Sequence, residues 1–136
     1  GTDVAATAFG RGIVTVNEAL SHVREVDGVM LGRAAYDNPY ALAAIDAALF
    51  GASNDAPASR ADCLHRYLAY VDDELAAGTE LHHITRHLLT LFQGQAGGRR
   101  WRRELSENAH RPGAGREVIE HALAAMAAAA PAPGAA

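Results

Sequence analysis

Lysine is missing altogether: the twelve basic residues of this 136-residue chain are all arginine. Together with the alanine-rich C-terminus, this reads as a compositional bias of the source genome and carries no functional weight. Cysteine is nearly missing. Cys63 stands alone, which excludes an internal disulfide framework and suits a reducing compartment, so a cytoplasmic location is expected. Next to the Leu64 and Leu68 face, it reads as a small structural hydrophobe. No apolar run approaches the roughly 18 residues of a membrane span, so a soluble chain without a membrane partner is expected. There is also no leader of the charged-then-apolar kind, and with Gly1 in first place the loss of a true N-terminal portion is expected.

What is present suffices for a real core, since 49% of the residues are hydrophobic. The net charge of -4 is divided unevenly. Residues 1–80 carry 5 Arg against 12 acids, and residues 81–136 carry 7 Arg against 4. Different partners for the two halves follow from that division.

Two grammars succeed one another. "DVAATAF" is a short apolar run of the buried-strand type, and "TVNEALSHV" opens with Thr15 and Glu18 in the spacing of a capping box. "VDGVMLG" then returns to a short apolar run, giving strand, helix, strand, the order of a βαβ unit in a parallel sheet. "AAYDNPYALAAIDAALF" reads as helix interrupted at Asn38-Pro39, with Asn as a cap and Pro suited to the first helical position. Residues 51–59 have linker composition. Beyond them the pattern is helical: Leu64, Tyr67, Leu68, Val71 and Leu75 share a face ahead of a stop at Gly78, and Leu81, Ile84, Leu88, Leu91 and Phe92 repeat the pattern. "RRWRRELSENAH" sets Trp101 and Leu105 opposite Arg99, Arg102 and Arg103. A last helix, "REVIEHALAAMAAAA", runs into a tail, 131–136, expected to be disordered.

Gly32 and Arg33 follow the second apolar run directly. At the C-terminal end of a parallel strand, glycine admits a ligand close to the backbone, following amides point at it, and arginine offers forked donors to phosphate oxygens. A phosphate site is one reading of this dipeptide, and a tight turn with a surface arginine is the other. "GRGI", residues 10–13, could supply a second wall from the neighbouring strand end. His82, His83 and His87 include an i, i+4 pair with the spacing of helical metal ligands, but no Glu stands next to the first His and no Cys or Asp nearby completes a site, so no metal is expected. Asp72, Asp73 and Glu74 read as a solvated helix face. Arg99, Arg100, Arg102 and Arg103 stand together with Glu104 as the only acid among them, and Arg86 precedes them. A patch of one sign suits the phosphate backbone of folded RNA.

"VDGVMLGRAAYDNPY", followed at a distance by "HITRHLLTLFQGQAGGRRWRRELSENAHRPGA", resembles the C-terminal part of the FMN-dependent tRNA-dihydrouridine synthases, specifically the bacterial DusA subfamily. The likeness runs from about Val14 to Met126. It implies an α/β plus all-α fold: residues 1–50 as the last two βα units of a TIM barrel, 51–59 as linker, and 60–130 as a helical tRNA-binding domain. The implied activity is reduction of uridine to dihydrouridine in the tRNA D-loop by FMN, with NADPH as reductant and a cysteine as general acid. The implied FMN-phosphate ligands are Gly12, Gly32 and Arg33, and the implied tRNA contacts are Arg86, Arg99, Arg100, Arg102 and Arg103. The family has Asn-Gly-Gly-Ile where this chain has Gly10-Arg11-Gly12-Ile13, so only Gly12 and Ile13 match. Its catalytic cysteine belongs to an earlier strand, and Cys63 does not replace it. The implied whole enzyme is a monomer that binds tRNA and not DNA. Two other readings stand beside this one: a standalone RNA-binding module without catalysis, and a truncated remnant with neither activity.

Overall fold

The computed structural model describes residues 15–51 and 57–129. The chain divides into two compact units, Gly1–Pro57 and Ala58–Ala136.

In the first unit, helix α1 spans Val16–Val23. Its start is the capping box the sequence spells: Glu18 N donates to Thr15 Oγ1 at 3.1 Å, and Thr15 N donates to Glu18 Oε2 at 3.3 Å. Two orphan amides are thereby satisfied reciprocally. Helix α2 spans Arg33–Asp37 and α3 spans Ala41–Phe50. The break falls at Asn38-Pro39 as expected, but the cap of α3 is Tyr40 and no side chain caps it. Asn38 contributes its carbonyl, which accepts from Ala41 N at 3.1 Å. Ala19 of α1 and Ile45 of α3 are the buried apolar residues described in this unit, and α1 packs on α3.

The strand expected at "VDGVMLG" is not formed: residues 26–32 have no regular structure, and no strand occurs among the described residues. A parallel strand exists only through its ladder to a neighbour, and no neighbouring strand is described for this run to pair with. The strand expected at "DVAATAF", Gly12, and the 131–136 tail lie outside the described residues.

The second unit is helical. Helix α4 spans Arg60–Ala76, and Ser59 caps it by accepting from Asp62 N at 3.0 Å. It stops where the sequence indicates, at Gly78 with φ +95, a left-handed conformation that glycine adopts at little cost. Helix α5 covers only Leu81–Thr85, α6 covers Gly98–Asn108, and α7 covers Arg116–Ala129. One cluster joins them, with Leu64, Leu68 and Val71 from α4, Leu81 and Ile84 from α5, Trp101 and Leu105 from α6, and Ile119 and Ala122 from α7. No described helix is long and apolar enough to cross a membrane.

The continuous helix expected from "ELHHITRHLLTLFQG" is a correction. After Thr85 the backbone proceeds by turns, with Leu88 N bonded to Thr85 O, Leu91 N to Leu88 O and Gln93 N to Thr90 O. Two carbonyls on this path are taken by distant side chains: Trp101 Nε1 donates to Leu88 O at 2.9 Å, and an Arg60 guanidinium nitrogen donates to Leu91 O at 2.7 Å. Those bonds replace part of what an α-helical ladder would supply. The five apolar positions are still buried, because i, i+3 and i, i+4 spacing survives a chain of tight turns.

Candidate nucleic-acid interface

Helix α6 presents the arginines because its other face is locked down. Trp101 is 0% exposed, its indole is bonded to Leu88 O, and its ring meets Phe92 edge-on at 4.9 Å. The two glycines of "GGRRW" make this seating possible. A Cβ on Gly98 would strike the Phe92 carbonyl oxygen, and one on Gly97, at φ +80, would come within 2.5 Å of Met126 O in α7. Any larger residue would lift α6 away from both neighbours.

Glu104 is buried to 7% and holds three partners: Arg100 at 2.7 Å, Asn108 Nδ2 at 3.1 Å and His121 Nε2 of α7 at 3.6 Å. Arg100 and Asn108 lie on α6 itself, and the approach to His121 of α7 becomes an ion pair only when that imidazole is protonated. The sequence shows Glu104 only as the lone acid among arginines; its i, i+4 spacing to both Arg100 and Asn108 is the signal that could have revealed these two pairings.

The four clustered arginines are all exposed but not equivalent. Arg100 is paired with Glu104, and Arg103 donates from Nε to Glu107 Oε1 at 2.9 Å. The Glu107 hydrogen bond, followed by its charge, pushes the Arg103 guanidinium above its ordinary range. Arg99 and Arg102 have no ion pair among the described residues, and their i, i+3 spacing sets them side by side on the outer face. The exposed stripe 99, 102, 103 continues to Ser106, which lines a shallow depression of about 280 Å³ together with Arg86. Arg86 lies at the C-cap of α5, and its Nε donates to His87 Nε2 at 3.1 Å. The structure therefore brings Arg86 to the edge of the surface that α6 presents. Such a surface, with cations held on rigid helices, can bind phosphates by charge and shape.

Of the second proposed site, Gly32 and Arg33 are described. Gly32 is the N-cap of α2 and no side chain caps that turn. A Cβ there would meet nothing within 4 Å. Arg33 is exposed. An open glycine, an uncapped helix start and an arginine beside it fit an anionic oxygen group such as the phosphate of FMN.

The comparisons agree with one another. A family described as dihydrouridine synthase (Dus) matches residues 7–128. The chain is 49% identical over 117 residues to the tRNA-dihydrouridine(20/20a) synthase of Vibrio cholerae, covering 86% of this chain and 36% of that protein. It is 54% identical over 113 residues to the protein of the same name from Xanthomonas axonopodis, covering 82% and 33%. For the Escherichia coli protein of that name the identity is 51% over 116 residues, covering 85% and 33%. The chain thus spans about a third of the length of the curated relatives it matches.

Proposed function

The chain belongs to the dihydrouridine synthase family, and from that premise we propose that it is the C-terminal portion of an FMN-dependent tRNA-dihydrouridine synthase, contributing the tRNA grip and part of the flavin-phosphate site. The relatives it resembles carry that activity in their names and match it only with their C-terminal third. The carrying observation is α6, on which Arg99 and Arg102 are exposed and have no ion pair among the described residues while Trp101 seats the helix from beneath. On this reading residues 60–130 are the tRNA-binding domain, and residues 1–50 are the end of the barrel. Large apolar side chains in the first unit support the second half of that statement: Met30 is 78% exposed and Phe50 82%, surfaces that a neighbouring layer of the same protein would cover.

Bound FMN would supply the hydride chemistry, with NADPH restoring its reduced form. In this chain Gly32 would let the phosphate approach the backbone, and Arg33 would neutralise it. Gly12 would stand on the opposite wall. Arg86, Arg99 and Arg102 would hold tRNA phosphates, and Arg100 and Arg103 would shape the same field while paired to Glu104 and Glu107. The whole enzyme is proposed to act as a cytoplasmic monomer on tRNA.

The purified chain is expected to bind tRNA in a salt-dependent manner. It should neither retain flavin nor form dihydrouridine with NADPH, because the general-acid cysteine and the flavin walls are contributed from elsewhere in the family's barrel. Gel-shift titration, the flavin absorption spectrum and dihydrouridine assay of tRNA check the three parts. A yellow preparation with stoichiometric flavin, or NADPH-dependent product, would overturn the division of labour.

A further inference from the structure

Glu80 and the first turn of α5 carry a cluster at the edge of the basic surface, where His82, His83 and His110 line the same depression as Arg86 and Ser106. Glu80 occupies the cap position with extended backbone, φ -74 and ψ 141, yet its side chain makes no capping bond. Its carboxylate turns to the histidines instead: Oε2 lies 3.5 Å from His82 Nδ1 and 3.9 Å from His83 Nε2. The three ligand atoms lie within 4.8 Å of one another. Ligands about 2.0–2.1 Å from a tetrahedral zinc ion are separated by roughly 3.4 Å, so closure around an ion requires shifts of about an ångström or less.

The ring planes are already supported. His82 is packed against the His83 ring at 4.1 Å and stacked on the His110 ring at 4.6 Å. The side chain of His82 is only 27% exposed, whereas Glu80 is open to solvent at 72%. One ligand is therefore held firm while another is free to adjust. The spacing visible in the sequence directs attention to His83 and His87, but His87 accepts the Arg86 hydrogen bond, and the residues that converge are Glu80, His82 and His83.

We propose that Glu80, His82 and His83 form a site for one borderline divalent cation, of which zinc is the type. Two imidazoles and one carboxylate suit Zn²⁺, Co²⁺ or Ni²⁺, whereas Mg²⁺ and Ca²⁺ favour all-oxygen shells. With three protein ligands, at least one position is left to water. The ion would tie the residue before α5 to its first turn, reinforcing a helix of only 5 residues. The site adjoins the basic surface, since His82 and His83 line the same depression as Arg86, but its argument does not rest on the tRNA reading.

The test is isothermal titration of the full chain with ZnCl2 in a non-chelating buffer, supported by the visible absorption of Co²⁺. One ion per chain with micromolar or tighter affinity is expected. Glu80→Gln and His82→Ala should each weaken binding at least tenfold, and the exposed Glu80 makes the first variant safe for folding, as an unchanged far-UV melt would show. His65→Ala, on the exposed side of α4, should bind as the parent does. Absence of saturable binding would overturn the proposal. So would Glu80→Gln binding zinc as tightly as the parent, or loss of binding in His65→Ala alone, which would place the ion elsewhere.

Discussion

Replacing Trp101 with alanine is expected to remove about 4 kcal/mol of stability, a large fraction of the roughly 5–15 kcal/mol that holds an ordinary domain together. Trp101 is 0% exposed and among the largest fully buried side chains. Deleting it would open a cavity in the core cluster of the second unit, take the edge-on contact from Phe92, and leave the Leu88 carbonyl without its indole donor. The last loss matters because Leu88 lies where the backbone has left the α-helical ladder, so the turn from Arg86 to Gly94 should loosen with it. Trp101→Phe keeps an aromatic ring against Phe92 and forfeits the hydrogen bond and some volume, for a cost of roughly 1–2 kcal/mol. Urea titration of the full chain, followed by far-UV circular dichroism, measures both. If Trp101→Ala unfolds at the parent's denaturant midpoint, the seating of α6 described above is wrong.

The double replacement Arg99→Ala and Arg102→Ala is expected to weaken tRNA binding by a factor on the order of ten or more at low salt. The slope of log affinity against log salt should become shallower by about 1.4 to 1.8, the amount expected for two lost phosphate contacts. Stability should hardly change, since neither side chain is paired among the described residues. Arg100→Ala is expected to behave differently. It would strip the buried Glu104 carboxylate of its guanidinium, leaving Asn108 as its hydrogen-bond donor, and lower stability, because a buried charge that loses its ion pair is costly. Arg103→Ala breaks only an exposed i, i+4 pair with Glu107 that solvent screens, and should leave stability nearly unchanged. tRNA binding measured at several salt concentrations separates the variants. Equal slopes for the parent and the Arg99, Arg102 double variant would remove α6 from the interface.

Local rules were enough for much of this architecture. Thr15 and Glu18, three residues apart, announce the start of α1, and Gly78 announces the end of α4, because capping chemistry lies within a few residues. The buried stripe of α4 and the opposition of Trp101 to the arginines were legible for the same reason. The early end of α5 was not, since the groups that accompany it, the Trp101 indole and the Arg60 guanidinium, approach from 13 and 31 residues away. The run from Val26 to Gly32 has strand composition without a described strand to pair with, and composition cannot supply a ladder. Within the basic cluster, the spacing of Arg100 to Glu104 and of Arg103 to Glu107 already contained the division between paired and unpaired cations. That Glu104 is the buried member required the packing of α7. Glu80 and His83 stand three residues apart with His82 between them, so that gathering was open to a local reading, whereas the stacking of His110 on His82 depends on how the chain folds back.

The most direct measurement is made on a chimera, in which this chain replaces the corresponding C-terminal third of the Escherichia coli tRNA-dihydrouridine(20/20a) synthase, to which it is 51% identical over 116 residues. The chimera should fold, hold FMN and form dihydrouridine in tRNA with NADPH. Placing Arg33→Ala in it should weaken FMN by about ten- to a hundredfold, as expected for loss of one charge-assisted contact. A chimera that folds and holds FMN, yet neither binds tRNA nor reduces it, would contradict the assignment of this chain as the tRNA-gripping portion of such an enzyme.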